Sequence, residues 1–265
     1  MNKLPNISQS LIKSLFEYKV GGECGLRFKA AYLDNVDLGS SDVQILGQWF
    51  EYKCTGALTR HGNIPEPELL KGGGLAAPYR KMEAQIANFH RIVKEYGIVI
   101  KKVGKKIVHD GMEGTVDIVA EWAGEWNKDN PNKTVYMDMK STGLLNDKWN
   151  AMGWDFDTLP TKEKLMMQPV HYKALSIKEE GFEVPFFFLL FSNTNEIEAK
   201  IYQITLDETR IEEHYTTVRG ARSFLKSEMG KGFTPYPDLK RCSDCVLKPN
   251  CEYAVEVPII QTVYY

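Results

Sequence analysis

The sequence contains no apolar run long enough to cross a membrane, which takes about 18 consecutive residues. Its longest apolar stretch, residues 184–191, has the length of a buried strand instead. Neither charge sign dominates, because 33 Lys and Arg residues stand against 35 Asp and Glu residues, which gives a net charge of −2. The chain therefore has no global basic field, and a nucleic acid would have to bind a local patch of positive charge.

The chain also lacks internal repeats, low-complexity segments and the Gly-x4-Gly-Lys-Ser/Thr loop that binds nucleotide phosphates. Residues 1–6 carry one lysine, and no long apolar stretch follows them, so a secretory signal is not expected. A cytoplasmic location with reduced thiols is the expectation. The composition, 43% hydrophobic and 26% charged over 265 residues, is typical of a globular protein that can enclose a catalytic cleft.

Hydrophobic periodicity predicts the order of helices and strands. Helices are predicted in the first 40 residues and over 44–58, 80–96, 162–178 and 207–229. Strands are predicted over 98–103 and 105–109, which would form a hairpin around Gly104, and over 115–122, 134–140, 184–191 and 199–204. This order predicts an α/β fold in which helices flank a mixed sheet and the two chain ends form an added cap.

Charged residues lie at the facing ends of two predicted strands. Asp138 and Lys140 are two residues apart, so their side chains share one face of the strand over 134–140. If the strand over 115–122 is its antiparallel neighbour, Asp117 lies close to Asp138. Two such carboxylates repel unless a cation lies between them, and oxygen ligands favour Mg²⁺ or Mn²⁺. An Asp-x-Lys pair alone is more often a solvated ion pair.

These residues belong to a longer pattern, which comprises Gly114-x-x-Asp117, Asp138-x-Lys140-Ser141-Thr142-Gly143 and Gln168-x-x-x-Tyr172. The pattern resembles the PD-(D/E)xK nuclease superfamily, and within it the RecB-like branch that includes CRISPR-associated RecB-like exonucleases. An upstream helix with Gly47 and Glu51 fits a further family motif, in which this branch often has His instead of Glu51. The resemblance implies a restriction-endonuclease-like core that hydrolyses phosphodiester bonds.

The resemblance also implies how the charged residues act. Asp117, Asp138 and Glu51 would hold one or two Mg²⁺ or Mn²⁺ ions, with the backbone carbonyl of Met139 as a further ligand. The metal would lower the pKa of a bound water and offset the charge of the scissile phosphate. Lys140 would orient that water and stabilise the transition state.

Gln168 and Tyr172 are four residues apart, so they share one helix face. The resemblance implies that they contact the DNA backbone or support the active-site lysine. Ordinary helix packing is the alternative for Tyr172, and a solvated position is the alternative for Gln168. Pro169 would break a helix interior, so a new helix is expected to begin near Gln168.

Three of the five cysteines, at positions 242, 245 and 251, lie in an irregular segment near the end of the chain. Three thiols at this spacing in a reducing compartment indicate a metal site, and a tetrahedral site needs a fourth ligand. Cys24 and Cys54 are candidates for that ligand. His214 is a weaker candidate because its position predicts an exposed helix face.

The resemblance favours Cys24, because iron–sulfur members of the branch carry one N-terminal cysteine and three near the C-terminus. It implies a [4Fe–4S] cluster whose ligands are Cys24, Cys242, Cys245 and Cys251. Zinc remains the alternative, since sulfur ligands alone do not separate the two metals. Gly25 follows Cys24 where the branch usually has proline. Cys54 is then expected to be a buried apolar thiol.

Several segments are candidates for binding DNA. Four lysines around Gly104 would form either a phosphate-binding patch or a solvated hairpin tip; they are Lys101, Lys102, Lys105 and Lys106. Residues 79–81 are a second basic candidate. The side chains that could stack on bases are Trp49, Trp149 and Trp154, and residues 148–157 could form a lid.

The leading hypothesis is an Mg²⁺- or Mn²⁺-dependent DNA exonuclease that acts on single-stranded ends. Two alternatives stay open: a structure-specific endonuclease on the same core, and a catalytically weak, cluster-containing DNA-binding subunit of a repair or recombination complex. Protein partners in recombination, phage or CRISPR-adaptation systems would suit such a chain, and no membrane partner is expected. The expected organisation is an N-terminal cap segment at 1–43, a nuclease core at 44–230 and a cysteine-rich cap at 231–265.

Overall fold

The computed structural model describes residues 4–58, 62–125, 133–142, 145, 159–192 and 198–254. The chain forms two compact units, which we call the sheet unit (Ser40–Tyr215) and the terminal unit (Met1–Gly39 with Thr216–Tyr265). The lid hypothesis for 148–157, including Trp149 and Trp154, lies outside the described residues, as does Gly143. Within those limits, none of the helices has the length and apolar character that crossing a membrane requires.

A five-stranded mixed sheet is the centre of the sheet unit, and its spatial order is the chain order. The strands are β1 Val99–His109, β2 Met112–Glu121, β3 Thr134–Thr142, β4 Phe186–Ser192 and β5 Ala199–Ile204. β3 and β4 are parallel, and the other neighbouring pairs are antiparallel. All seven positions of β4 are buried, as expected of a central strand. The predicted α/β fold with a mixed sheet is confirmed.

The described residues also form seven α-helices and a short 3₁₀ helix. They are α1 Gln9–Lys19, α2 Gly25–Tyr32, α3 Asp42–Thr55, α4 Ala77–Glu95, α5 Leu159–Glu180, α6 Glu208–Lys231, α7 Leu239–Ser243 and the 3₁₀ helix Lys248–Asn250. A capping box of Ser41 and Gln44 begins α3, and Gly56 at φ +77 ends it. Aromatic residues of α3 and α4 pack on one face of the sheet, where Phe50 and Phe89 both contact Phe191.

The predicted hairpin around Gly104 is wrong. β1 continues through Gly104, which has φ +62, and its register with β2 shifts between Ile100 and Lys102. The chain reverses at Asp110 and Gly111, which have φ +48 and +75, so that His109 pairs with Met112. Positive φ at both central residues is what a two-residue type I′ turn requires, and Asp-Gly supplies it. Gly104 accommodates an irregular backbone within the strand instead of ending it.

The expected helix start near Gln168 is also wrong. α5 runs unbroken from Leu159 to Glu180 with Pro169 inside it. A proline there removes one backbone hydrogen bond of the helix. Gln168 and Tyr172 nevertheless share the helix face that their spacing predicts, because the helix continues past the proline.

The terminal unit has an aromatic core in place of a sheet core. The ring of Tyr18 lies 5.7 Å from that of Phe28 and 5.8 Å from that of Phe233. The Tyr18 hydroxyl donates to Glu228 at 2.7 Å and accepts from the Thr234 amide at 3.0 Å. These contacts tie the first two helices to the segment that follows α6.

Gly25 stands where the two chain ends approach most closely. Its amide donates to the Thr234 carbonyl at 3.0 Å, and a Cβ at this position would collide with that carbonyl oxygen. A proline has no amide hydrogen to donate. The close approach therefore accounts for glycine at the position after Cys24.

Candidate active site

Asp138 and Lys140 form an ion pair on β3. The Lys140 Nζ lies 2.6 Å from the Asp138 Oδ2, and the aspartate is 1% exposed while the lysine is 33% exposed. The strand places both side chains on one face, and the intervening Met139 packs its side chain into the core on the other face. The Met139 side chain is therefore not a candidate ligand, and only its backbone carbonyl remains to be considered.

Asp117 enters the site from β2. The ladder between β2 and β3 ends at the pair Ile118 and Met137, and the next residues beyond it are Asp117 and Asp138. Burial, followed by the charge and hydrogen bond of Asp138, raises the pKa of Asp117 well above its usual range.

Glu51 reaches the same group from α3. Burial and then the negative charge of Asp138 raise the pKa of Glu51, which the positive charge of Lys140 partly opposes. Burial lowers the pKa of Lys140, but Asp138, Asp117 and Glu51 outweigh it, so that pKa lies above its ordinary value. The structure therefore brings the four predicted residues into one electrostatic group.

The donor atoms of this group have the chemistry that a hard cation prefers. Among the described residues, no three His, Cys, Asp or Glu side chains are grouped as ligands of one ion. The buried Oδ2 of Asp138 accepts no aligned hydrogen bond within the same residues, although Lys140 is close. Carboxylate oxygens grouped in this way, two of them on Glu51 and Asp117 with raised pKa values, fit Mg²⁺ or Mn²⁺, because the cation offsets their mutual repulsion.

Gln168 and Tyr172 act on the strands beside the charged group. The Gln168 amide donates to the Oδ1 of Asp138, and the Tyr172 hydroxyl donates to the Thr115 carbonyl at 2.5 Å. The Tyr172 ring lies over Gly114, where a Cβ would come within 2.6 Å of it. Both side chains are buried, so the arrangement supports the aspartate and β2.

Most of the candidate DNA-binding side chains are engaged within the fold. Three of the lysines around Gly104 lie in ion pairs, which are Lys101 with Glu121 at 2.9 Å, Lys105 with Glu180 at 2.8 Å and Lys106 with Glu113 at 3.3 Å. Trp49 and Tyr79 are buried and pack edge to face at 5.2 Å. The hypothesis that Trp49 stacks on bases is therefore wrong.

A buried histidine pair lies beside the site, and the sequence interpretation missed it. His171 on α5 contacts His214 on α6, with 2.8 Å between Nδ1 and Nε2. The expected exposed position of His214 is wrong, because this side chain is 6% exposed. The spacing of three residues from Gln168 is the one local signal that places His171 on the site-facing side of α5.

The four cysteines of the proposed cluster line a single cavity in the terminal unit. This cavity has a volume of about 260 Å³, and Arg27 and Arg241 also line it. The four thiols belong to Cys24, Cys242, Cys245 and Cys251. Cys54 is buried in α3, as expected, and burial followed by the charge of Glu51 raises the pKa of its thiol.

Comparison with known proteins bears on the fold. No protein-family model matches the sequence, and no curated protein is significantly similar to it. A Eubacterium rectale protein provisionally assigned as an exonuclease has a similar structure, with a TM-score of 0.63 and 17% identity over 98% of this chain and 92% of that chain.

The alkaline exonuclease LHK-Exo of Laribacter hongkongensis matches with a TM-score of 0.38 and 14% identity, over 91% of this chain and 94% of that chain. LHK-Exo in complex with dAMP matches with a TM-score of 0.40 and 14% identity, over 86% and 91%. The chain therefore has the fold of the Eubacterium rectale protein, a mixed sheet with flanking helices.

Proposed function

We propose that this chain is a divalent-metal-dependent DNA exonuclease. The observation that carries the proposal is the charged group around the buried Asp138, in which Lys140 lies 2.6 Å from Asp138 and both Glu51 and Asp117 are electrostatically linked to that aspartate. The Eubacterium rectale protein that shares the fold has a provisional assignment as an exonuclease, which supports the same activity.

The chain's own residues account for the chemistry expected at this site. Mg²⁺ or Mn²⁺ held by Glu51, Asp117 and Asp138 would supply Lewis acidity and lower the pKa of a bound water. Lys140 stays protonated because its pKa is raised, so it presents a fixed positive charge to the scissile phosphate. Gln168 fixes the orientation of Asp138 through its hydrogen bond.

Single-stranded DNA ends are the proposed substrate. Support comes from the motif set, since Gln168 and Tyr172 follow the acid and lysine motifs in the order found in RecB-like exonucleases. A structure-specific endonuclease on the same core would cut a substrate that has no ends. Linear and circular single strands therefore separate the two activities.

The test is cleavage of an end-labelled linear oligonucleotide and of a circular single strand, with Mn²⁺, with Mg²⁺ and with chelator. We expect the linear strand to be degraded with either metal, the circle to remain intact and the chelator to stop the reaction. Lys140→Met should lower the rate roughly 100-fold or more, because it removes a charge aimed at the transition state.

The matched control is Lys178→Met on α5, whose lysine pairs with Asp110 at 3.4 Å on the surface. This variant should cleave at the wild-type rate. Wild-type activity in Lys140→Met, or cleavage that persists in chelator, would contradict the proposed mechanism. Cleavage of the circle would favour the endonuclease.

We further infer that the terminal unit holds a [4Fe–4S] cluster. The four thiols that line its cavity support this inference. In a [4Fe–4S] cluster each thiolate binds a different iron. The four sulfur atoms can therefore lie farther apart than they can around a single zinc ion. Because metal binding to such a site contributes to folding, the cluster would stabilise the contacts between the two chain ends.

The cluster is tested by metal and acid-labile sulfide analysis of anaerobically purified protein, together with its visible absorption spectrum. Iron and sulfide in equal amounts are expected, and Cys242→Ala should lose them. Cys54→Ala, which changes a cysteine of the sheet unit, should keep them. Zinc without iron in the wild-type protein would overturn the inference.

A further inference from the structure

Within the described residues, the part of β2 that leads to Asp117 has no strand beside it on the β3 side. β1 pairs with β2 from Met112 to Val116 and again from Ile118 to Glu121, whereas the pairing with β3 stops at Ile118. In the part of the chain that the structure describes, residues 113–116 therefore have a strand partner in β1 and none on the side of β3. Backbone groups that point away from β1 in this stretch need other partners.

The turn geometry shows which groups these are. His109 and Met112 flank a two-residue turn and form a hydrogen-bonded pair, so Glu113 and Thr115 occupy the alternate, non-hydrogen-bonded positions. Their carbonyl groups point away from β1. The Glu113 carbonyl lies 2.8 Å from Nε2 of His171, and the Thr115 carbonyl accepts from Tyr172. Adjacent side chains of α5 thus take the place of a neighbouring strand.

The contacts of His171 fix the tautomer of both histidines. The Glu113 carbonyl can only accept, so Nε2 of His171 carries the hydrogen and Nδ1 is the acceptor. Nε2 of His214 therefore donates to that Nδ1 at 2.8 Å. Burial lowers the pKa of His171 to about 4 and that of His214 to about 3, so both rings are neutral at neutral pH.

α5 also contacts β3, on the other side of the opening between β2 and β3. Gln168, one turn before His171, donates to Asp138 on β3. α5 therefore contacts both sides of the opening between β2 and β3, at Glu113 and Thr115 on one side and at Asp138 on the other. Asp117 follows Thr115 by two residues, so the position of the β2 edge sets the position of its carboxylate.

We propose that His171, oriented by His214, is a positioning residue that holds the part of β2 leading to Asp117 and thereby sets the separation of Asp117 from Asp138. This inference rests on the proposed function, because the separation matters for seating a divalent ion. Without the bond to Glu113, α5 keeps its hydrogen bond from Tyr172 to Thr115 but loses one of its two bonds to backbone carbonyls of this edge. The carboxylates then lose part of their alignment, while the exposed side chains stay the same because His171 itself is buried.

The experiment compares wild type with His171→Leu, which removes the donor, and His171→Gln, which keeps a donor near the position of Nε2. Single-turnover cleavage of the linear oligonucleotide gives the rate, fluorescence anisotropy in chelator gives DNA affinity, and calorimetric titration with Mn²⁺ gives metal affinity. His90→Gln, at an exposed histidine of α4, is the matched control.

We expect His171→Leu to lose roughly 10- to 100-fold in rate, as a small misplacement of a reacting group does. Mn²⁺ affinity should fall in the same variant, DNA affinity should be unchanged, and His171→Gln should recover most of the loss. His214→Leu should show a smaller loss of the same kind. A purely structural role would lower thermal stability without moving the rate or the Mn²⁺ affinity of the folded protein.

The outcomes separate this inference from the proposed function. Wild-type protein that binds Mn²⁺ but does not cleave DNA overturns the function alone, and the Mn²⁺ affinities of the variants then decide the role of His171. Equal rates and affinities in wild type and His171→Leu overturn the positioning role alone. Wild-type protein that does not bind Mn²⁺ overturns both. If His171→Leu does not fold, the values for His214→Leu decide.

Discussion

The two units of the chain are stabilised in different ways. The sheet unit is organised around β4, whose seven residues are all buried, and its apolar core extends over α3 and α4. The terminal unit, in its described part, consists of helices and irregular segments around the rings of Tyr18, Phe28 and Phe233. This unit contains a cavity whose lining includes four cysteines.

This difference explains which kind of functional site each unit can support. Strands and a packed helix hold polar side chains rigidly in the sheet unit, so a buried carboxylate such as Asp138 keeps fixed partners. The terminal unit has no sheet around which to build a hydrophobic core in its described part. Units with small cores are often stabilised by a bound metal. Substitutions that act on one unit and leave the other unchanged test this division.

The largest effect is expected from Gly25→Ala in the terminal unit. A Cβ at this position meets the Thr234 backbone carbonyl, which cannot move as a side chain would. We expect a loss of about 3 kcal/mol, near the upper end for added methyl groups in packed sites. Chemical denaturation measures the loss, and amide hydrogen exchange should locate it in Met1–Gly39 rather than in Ser40–Tyr215.

Gly220→Ala on α6 is the control for that substitution, because no atom outside its own helix lies within 4 Å of a Cβ there. Alanine at an open helix position should be neutral or stabilise by up to about 1 kcal/mol. Equal stability of the two variants would contradict the close approach at Gly25.

A somewhat smaller effect is expected from Gly114→Ala in the sheet unit. The new methyl group would lie 2.6 Å from the Tyr172 ring and 3.0 Å from a Leu175 methyl carbon, and these side chains can shift partly. We expect a loss of about 2 kcal/mol, with exchange protection lost in 112–117. Gly47→Ala in α3, where a Cβ meets nothing within 4 Å, should instead stabilise by up to about 1 kcal/mol.

Asp117→Asn should make the sheet unit more stable at neutral pH and abolish cleavage. Because folding raises the pKa of Asp117, the folded state binds more protons than the unfolded state above the usual aspartate value of 3.8. Metal-free wild type therefore loses stability as pH rises toward the raised pKa, and the variant lacks this contribution. The two proteins should converge as pH falls to 3.8.

Denaturant titrations in chelator across a pH series measure this difference. The control is Glu66→Gln, an exposed carboxylate of the loop before α4, which should leave the pH dependence of wild type unchanged. A variant that is less stable than wild type at neutral pH would show that repulsion among the carboxylates is not the dominant effect at this site.

The smallest effect is expected from Lys101→Gln on β1. The lysine pairs with Glu121 on the surface, and exposed pairs of this kind contribute at most about 1 kcal/mol. Stability should change by less than about 0.5 kcal/mol. If Lys101 binds DNA phosphate instead, the slope of log affinity against log salt should fall by about one unit, which anisotropy titrations at several salt concentrations would detect.

Local patterns predicted the elements better than their ends and connections. The strand over 199–204 matches β5, and the helix over 80–96 corresponds to α4 at Ala77–Glu95. Gly104 predicts a turn because glycine usually interrupts strands, whereas the turn lies at Asp110-Gly111, which also carries a turn signal. The break expected at Pro169 did not occur, since a 22-residue helix retains enough other hydrogen bonds and packing contacts.

Residue types and the alternation of strand faces are enough to predict the acid and lysine residues of the candidate site. Asp138 and Lys140 share a face by the two-residue period of a strand, and their ion pair follows. The role of His171 was not predictable, because its partner is a backbone carbonyl 58 residues away in sequence. Every residue has a backbone carbonyl, so residue type does not show which carbonyl a side chain will contact.

The order of residues alone specified the elements, the faces they present and the acid and lysine motif, because periodicity and spacing act over a few residues. Folding was needed to bring Cys24 to the cavity of Cys242, to place Thr234 against Gly25 and to supply α5 as the partner of the part of β2 leading to Asp117. These contacts join residues far apart in the chain. They form only when hydrophobic burial of the elements has brought those segments together.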